Sequence, residues 1–149
     1  MDDDATQVLL ARTIATVAHL GQADKNGVDY IGHPRRVAGR LPDATGQAVA
    51  WLHDVLEDTR VTATTLTTLG VRADIIVAVQ LLTRSDDVAS EDYYAAIRSD
   101  PVARAVKLAD IADNTDPSRT ALLHPTTRER LAMKYAKARA ALSAETDES

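Results

Sequence analysis

Apolar positions recur along this chain at steps of three and four residues, and no segment shows the period of two that marks a half-buried strand. Leu10, Ile14 and Val17 step by four and three and mark one face of a first helix. A polar, glycine-containing loop follows from Gly21 to about Asp29. A second helix is predicted to start near His33-Pro34, because proline is tolerated in a first helical turn, and to stop before Pro42-Asp43. The next is predicted from about Thr45 through Trp51 to Glu57. Thr62 is a cap for a short helix that ends at Gly70. Ala73 to Leu82 is apolar on several sides and is placed centrally; its β-branched run is the one stretch where a strand competes. A short helix spans Ser90 to Ile97, and Asp100-Pro101 pairs a cap with a proline at the first helical position to open a helix through Asp113. Thr126 with Glu129 three residues later is a capping box for a last helix over about 127–142. The polar, acidic tail over 143–149 is expected to fray. The pattern predicts one all-α domain over residues 1–149, a bundle of about eight helices without internal repeat or linker.

A chain of 149 residues is long enough to bury one core, and its 45% hydrophobic and 26% charged residues are ordinary for a globular protein. No apolar stretch approaches the ~18 residues of a membrane span. The opening Met-Asp-Asp-Asp has the wrong charge for a signal or transit peptide, so a cytoplasmic location is expected. Without cysteine there is no disulfide, thiolate ligand or thiol nucleophile. A net charge of −5 argues against a nucleic-acid polymer as partner, but allows a small anionic substrate in a locally positive pocket. Self-association as a homo-oligomer is compatible with all of this. Aromatics are scarce, so the core must be aliphatic, and the rings able to stack on a base are Tyr30, Trp51, Tyr93, Tyr94 and Tyr135.

Four separated segments carry candidate chemistry: HLGQADKNGVDYIGHP (19–34), WLHDVLEDT (51–59), LLTR (81–84) and VKLADIADN (106–114). In the second, His53 and Asp54 would leave a continuous helix about 100° apart, enough to chelate one ion beside it. Glu57 and Asp58 lie four residues after each of them, on the same sides. Alone, such a pair is more often a solvated helix end, and a histidine before proline is more often a surface residue. The fourth segment changes the balance. Val102, Val106 and Ala109 point inward there, while Lys107, Asp110 and Asn114 form one stripe. A carboxylate flanked by apolar neighbours needs a partner or a metal. A histidine-bearing loop, a His-Asp helix and a later buried aspartate together predict a metal site. Imidazole and carboxylate ligands suit manganese, iron, zinc or magnesium.

These segments, in this order and wording, resemble the hydrolase domain of the stringent-response alarmone enzymes of the RelA/SpoT type, especially the stand-alone small alarmone hydrolases. The resemblance covers about Ile14 to Asn114, and the family's synthetase domain has no counterpart here. It implies an HD-domain fold and a manganese-dependent hydrolysis of the 3′-pyrophosphate of (p)ppGpp to GDP or GTP and pyrophosphate. It implies His33, His53, Asp54 and Asp110 as metal ligands, Glu57 and Asp58 beside the attacking water and leaving group, and Lys25, Asn114 and Tyr135 as substrate contacts. Lys107, one turn before Asp110, is the best placed cation for a polyphosphate; Arg35, Arg36, Arg40 and Arg84 are further candidates, Arg36 and Arg40 sharing one helix face that solvent alone would also explain. His19 is assigned a structural role, and His124 an exposed loop position.

The chain departs from the family at Asp24, where an arginine expected to stack on the guanine base commonly stands. A carboxylate there removes a planar stacking partner and adds negative charge beside an anionic ligand. Two other readings therefore stay open: an HD-domain phosphatase acting on another nucleotide, such as a deoxynucleotide or a phosphorylated dinucleotide cofactor, and a non-catalytic nucleotide or metal sensor.

Overall fold

The computed structural model describes residues 3–144, and the structural statements below refer to those residues. They form ten helical segments: α1 (Asp4–Ala18), α2 (Gly32–Gly39), α3 (Ala44–Leu52), α4 (Val55–Asp58), α5 (Ala63–Thr68), α6 (Ala73–Leu82), α7 (Ser90–Arg98), α8 (Pro101–Asn114), α9 (Pro117–Thr120) and α10 (Pro125–Ser143). Two of these, α4 and α9, are single turns of four residues, which leaves eight longer helices. The only β-type pairing among the described residues is one bridge between Ala23 and Asp29. The stretch where a strand competed is α6, whose Ile75, Ile76, Val79 and Leu82 are buried at helical spacing.

The caps explain most boundaries. Asp100 accepts hydrogen bonds from the backbone N–H groups of Val102 and Ala103 with Pro101 behind it, and Thr62 Oγ1 accepts from the N–H of Thr65. Gly70, at φ +95°, then turns the chain out of α5, a conformation in which any Cβ would be strained. Asp116-Pro117 repeats the Asp-Pro signal and opens α9, which the periodicity had hidden because one turn carries no period. The Thr126–Glu129 capping box does not form. Pro125 occupies the first turn of α10, so the cap moves back to His124, whose Nδ1 accepts from the N–H of Thr126. His124 is exposed, as expected. Ser143 is still helical, and residues 145–149 of the predicted frayed tail lie outside the described residues.

Helix α3 is the axis of the packing, in contact with α1, α2, α6 and α8. Its Ala48, Val49, Ala50 and Leu52 are completely buried. Helix α1 meets it through the small residues Ala11 and Ala15, which allow close approach. Val17, expected on that face, falls outside it and is 69% exposed. Gln7 is buried as well: its Nε2 donates to the Gly70 carbonyl and its Oε1 accepts from the Arg72 N–H, tying α1 to the α5–α6 turn. The buried apolar residues form one aliphatic cluster, to which Trp51 and Tyr93 are the only aromatic contributors that are themselves buried among the described residues. No helix is long and apolar enough to cross a membrane.

Ile75 lies in this cluster with no exposed surface and away from the polar centre described next. Ile75→Ala should therefore destabilise the fold by about 2–5 kcal/mol. Urea unfolding followed by Trp51 fluorescence measures this, and the folded variant should bind metal as the parent does.

Candidate metal centre

The sequence predicts one helix through 45–57, but it breaks at the His-Asp pair. His53 caps the C-terminus of α3, and Asp54 (φ −106°, ψ 0°) starts α4 from the sparsely populated region between helix and strand. The break changes the aim of both side chains. Instead of diverging by about 100°, as on a continuous helix, His53 Nε2 and Asp54 Oδ2 come to 3.1 Å of each other. His33, in the first turn of α2, brings its Nε2 to 3.9 Å from Asp54 Oδ2 and 2.8 Å from Asp110 Oδ1. Asp110, in the middle of α8, has its Oδ1 3.4 Å from His53 Nε2. His33, His53 and Asp110 are all buried, and Asp54 is half-buried.

The proton positions on the two imidazoles follow from their other nitrogens. His53 Nδ1 lies 2.6 Å from the Ala50 carbonyl, which can only accept, so this nitrogen is the donor. His33 Nδ1 lies 2.7 Å from Asp113 Oδ2 and donates to that carboxylate in the same way. In the neutral ring each Nε2 then carries a lone pair. Two nitrogen lone pairs and two carboxylate oxygens converge, and His53 Nε2 is a buried polar atom with no hydrogen-bond partner. Acceptors packed this closely repel one another unless a cation lies among them. His33, His53 and Asp54 each offer one donor atom within 4.8 Å of the others, a spacing suited to a metal ion. Without a cation, protons must serve. Burial opposes charge on His53, but Asp54 and Asp110 outweigh it and hold its pKa well above the ordinary histidine value. Burial likewise disfavours the Asp110 carboxylate, but the hydrogen bond from His33 and the charges of His53 and Lys107 hold its pKa well below the usual range.

Around these atoms stands a set of orienting contacts. Lys107 Nζ donates to Asp110 Oδ2 and Asn114 Nδ2 to Asp110 Oδ1, both at 3.1 Å, so the predicted stripe of α8 meets on one carboxylate. Burial disfavours the Lys107 ammonium, but Asp110 keeps it charged above the usual lysine range. The Tyr30 hydroxyl donates to Asp54 Oδ2. Asp113, 1% exposed, holds His33 from behind and is itself held by Arg36 Nε at 2.9 Å and Arg119 Nη2 at 2.5 Å.

Glu57 is exposed beside the centre, its Oε1 accepting the Arg84 N–H at 2.7 Å. Burial, then the charges of Asp54 and Asp58, raise its pKa above the usual carboxylate value. The Asp58 carboxylate approaches those of Asp54 and Glu57, but it lines a shallow groove with Gln22 and Arg60 rather than the pocket over Asp110. Tyr135 lines that pocket together with Asn114 and Lys107. Lys25 lies on a neighbouring cavity of about 270 Å³ that shares Tyr30, His33, Asn114 and Tyr135 with the centre. Burial lowers the Lys25 pKa, and so do the nearby charges of Arg130 and Lys134. Arg84 and Lys107 line a third pocket together with His53, Asp54 and Glu57. Of the paired candidates on α2, Arg36 enters the cavity while Arg40 turns to Asp116 at 3.5 Å. His19, expected to be structural, is buried with Nδ1 2.8 Å from Gln22 Oε1 and its ring 4.9 Å from that of Tyr30, and its Nε2, like that of His53, has no hydrogen-bond partner among the described residues.

A solved structure of a metazoan ortholog of SpoT, described as hydrolysing ppGpp and playing a role in starvation responses, superimposes with a TM-score of 0.75. The match covers 95% of this chain and 88% of that one, at 19% sequence identity. No family model matches the chain. The likeness is one of fold. The all-helical, HD-like architecture expected from the sequence is the architecture of this chain.

Tyr30, Asp113 and Arg119 were not marked as site residues by the sequence. Asp113 stood in plain view in the ADIADN segment, at the next-to-last position of its helix, but only the fold shows that it reaches back to His33. His53→Ala and Asp110→Ala should each lose stoichiometric metal after dialysis, and also the rise in melting temperature that metal gives the parent by binding its folded state. Asp113→Asn should keep the stoichiometry with an affinity about 10–100-fold weaker, the usual consequence of removing a partner behind a ligating histidine. Metal analysis and titration calorimetry read both.

Proposed function

We propose that this chain hydrolyses the 3′-pyrophosphate of (p)ppGpp, releasing pyrophosphate and GDP or GTP. The observation that carries the reading is the buried convergence of His33, His53, Asp54 and Asp110 around an unpartnered His53 Nε2, on the fold of a ppGpp hydrolase. These four residues would hold a divalent cation, with manganese as the metal to supply first. When bound, it contributes Lewis acidity at the phosphoryl oxygen and a lowered pKa for water.

The rest is done by the chain's own groups. Water attacks the phosphorus nearest the ribose, the bond from that phosphorus to the 3′ oxygen breaks, and the 3′ oxygen takes up a proton. Glu57, whose pKa is raised and whose second oxygen is not held by Arg84, takes the proton from water and returns one to the 3′ oxygen. Asp58, set toward the neighbouring groove, assists through its charge on Glu57. Lys107 and Arg84 supply the positive charge that a pyrophosphate needs in an acidic protein. Tyr135, Asn114 and Lys25 border the space left for the nucleoside. A cytoplasmic location and a small nucleotide, rather than a nucleic-acid polymer, as the ligand belong to the same reading, which the acidic composition supports.

Purified protein with manganese and ppGpp should release pyrophosphate, and EDTA should stop it. Orthophosphate in place of pyrophosphate would move the assignment to a phosphatase, and no product from metal-loaded protein would end the hydrolase reading for this substrate. Glu57→Gln should retain metal and slow turnover by about 10²–10⁴-fold. Loss of metal in that variant would make Glu57 a ligand instead.

A further inference from the structure

The cavity beside the metal centre has the makings of a base pocket. It shares Tyr30, Asn114 and Tyr135 with the centre, has Leu123 and Leu131 on its wall, and at about 270 Å³ has room for a purine. Its polar groups differ from what the family resemblance implies. Asp24 stands where a stacking arginine was expected; it lines the cavity, and one of its carboxylate oxygens is engaged in its own loop. Its Oδ1 accepts from the backbone N–H groups of Asn26 at 2.8 Å and Val28 at 3.0 Å, while its own N–H donates to the Val28 carbonyl. Asp24 therefore closes the 24–28 turn, a task that needs an acceptor and that arginine cannot perform.

A guanidinium reaches the same cavity from another element. Arg36 leaves α2 one turn after His33 and lines the cavity. Its Nε is spent on Asp113, at 2.9 and 3.2 Å from the two carboxylate oxygens, which fixes the plane of the group. Its Nη1 lies over Gly32, where a Cβ would come within 2.9 Å of it. Neither Nη has a hydrogen-bond partner among the described residues. Arg119 shares Asp113, so the carboxylate stays held when Arg36 is replaced. The outcome is a pre-oriented fork of two N–H donors at the edge of a partly apolar cavity.

We infer that Arg36 determines base specificity, its two Nη groups donating to O6 and N7 of a guanine lodged in this cavity. An end-on guanidinium fork matches that pair of acceptors, whereas adenine presents an amino donor at position 6 and is rejected. This inference rests on the nucleotide-hydrolase reading above for the orientation of the ligand, with phosphate at the metal and base in the cavity.

The test is calorimetric binding of GDP and of ADP to the manganese-loaded protein, run beside the ppGpp hydrolysis assay. The expected result is GDP bound about 5–150-fold more tightly than ADP. Arg36→Ala should bring that ratio close to one without changing metal content. Arg36→Lys keeps a cation against Asp113 but lacks the fork, and it should lose the preference too. Equal binding of the two diphosphates by the parent, binding of neither, or a preference that survives in both variants would overturn the inference. A guanine preference that depends on Arg36, but without pyrophosphate release from ppGpp, would leave the inference standing and remove the hydrolase reading.

Discussion

Two imidazole nitrogens and two carboxylate oxygens lie 2.8–3.9 Å from one another, on three buried side chains and the half-buried Asp54, where as acceptors they repel. The surrounding structure is organised around that repulsion. A cation satisfies all four at once, and the protein keeps the atoms ready for it by giving each imidazole a donor role on its far side. The Ala50 carbonyl takes the proton of His53, and Asp113 takes that of His33. The same requirement accounts for the broken helix. On a continuous helix from α3 into α4 the two side chains would leave about 100° apart, whereas the break brings His53 Nε2 and Asp54 Oδ2 to 3.1 Å. The chain takes the less populated backbone at Asp54, and the buried Val55 anchors the new turn immediately after it.

Three elements bring these atoms together, and their packing decides how well. Helix α3 delivers His53 from the centre of the core, with Leu52 and Val55 completely buried on either side of the pair. Helices α2 and α8 pack against α3 and against each other, which sets His33 opposite Asp110. The polar centre is thus held by aliphatic contacts of the kind that tolerate little change in volume. A cation held by these residues would couple its binding to folding stability through those contacts.

Much of this was legible in the sequence, for identifiable reasons. Caps such as Asp100-Pro101 and Thr62 act locally, so their helices could be placed from a few residues. The stripe of Lys107, Asp110 and Asn114 is a property of one helix, and its three side chains do meet. What local pattern hides is any feature made by two distant segments. The break at Asp54 depends on where His33 and Asp110 lie, and the apolar periodicity of 45–57 runs straight through it. Tyr30 was visible only as a spare ring, because its bond to Asp54 spans 24 positions. Arg36 and Arg40 looked equivalent on one face, and they separate only because Asp113 lies beside the first and Asp116 beside the second.

Asp113 also settles how an acidic chain can be locally attractive to an anion. It is one carboxylate shared between two guanidiniums and an imidazole N–H. With its single charge divided in this way, the cavity wall keeps net positive charge, and Lys25 adds to it from the opposite loop. Asp24 does not cancel it. Two backbone N–H groups bind its Oδ1 and offset part of the carboxylate's field within the turn. A formal charge of −5 over the chain therefore says little about the field that a small ligand meets. What it meets is set by which acids are already engaged. Here Asp110 answers Lys107, Asp113 answers the arginines, and Asp24 answers its own loop.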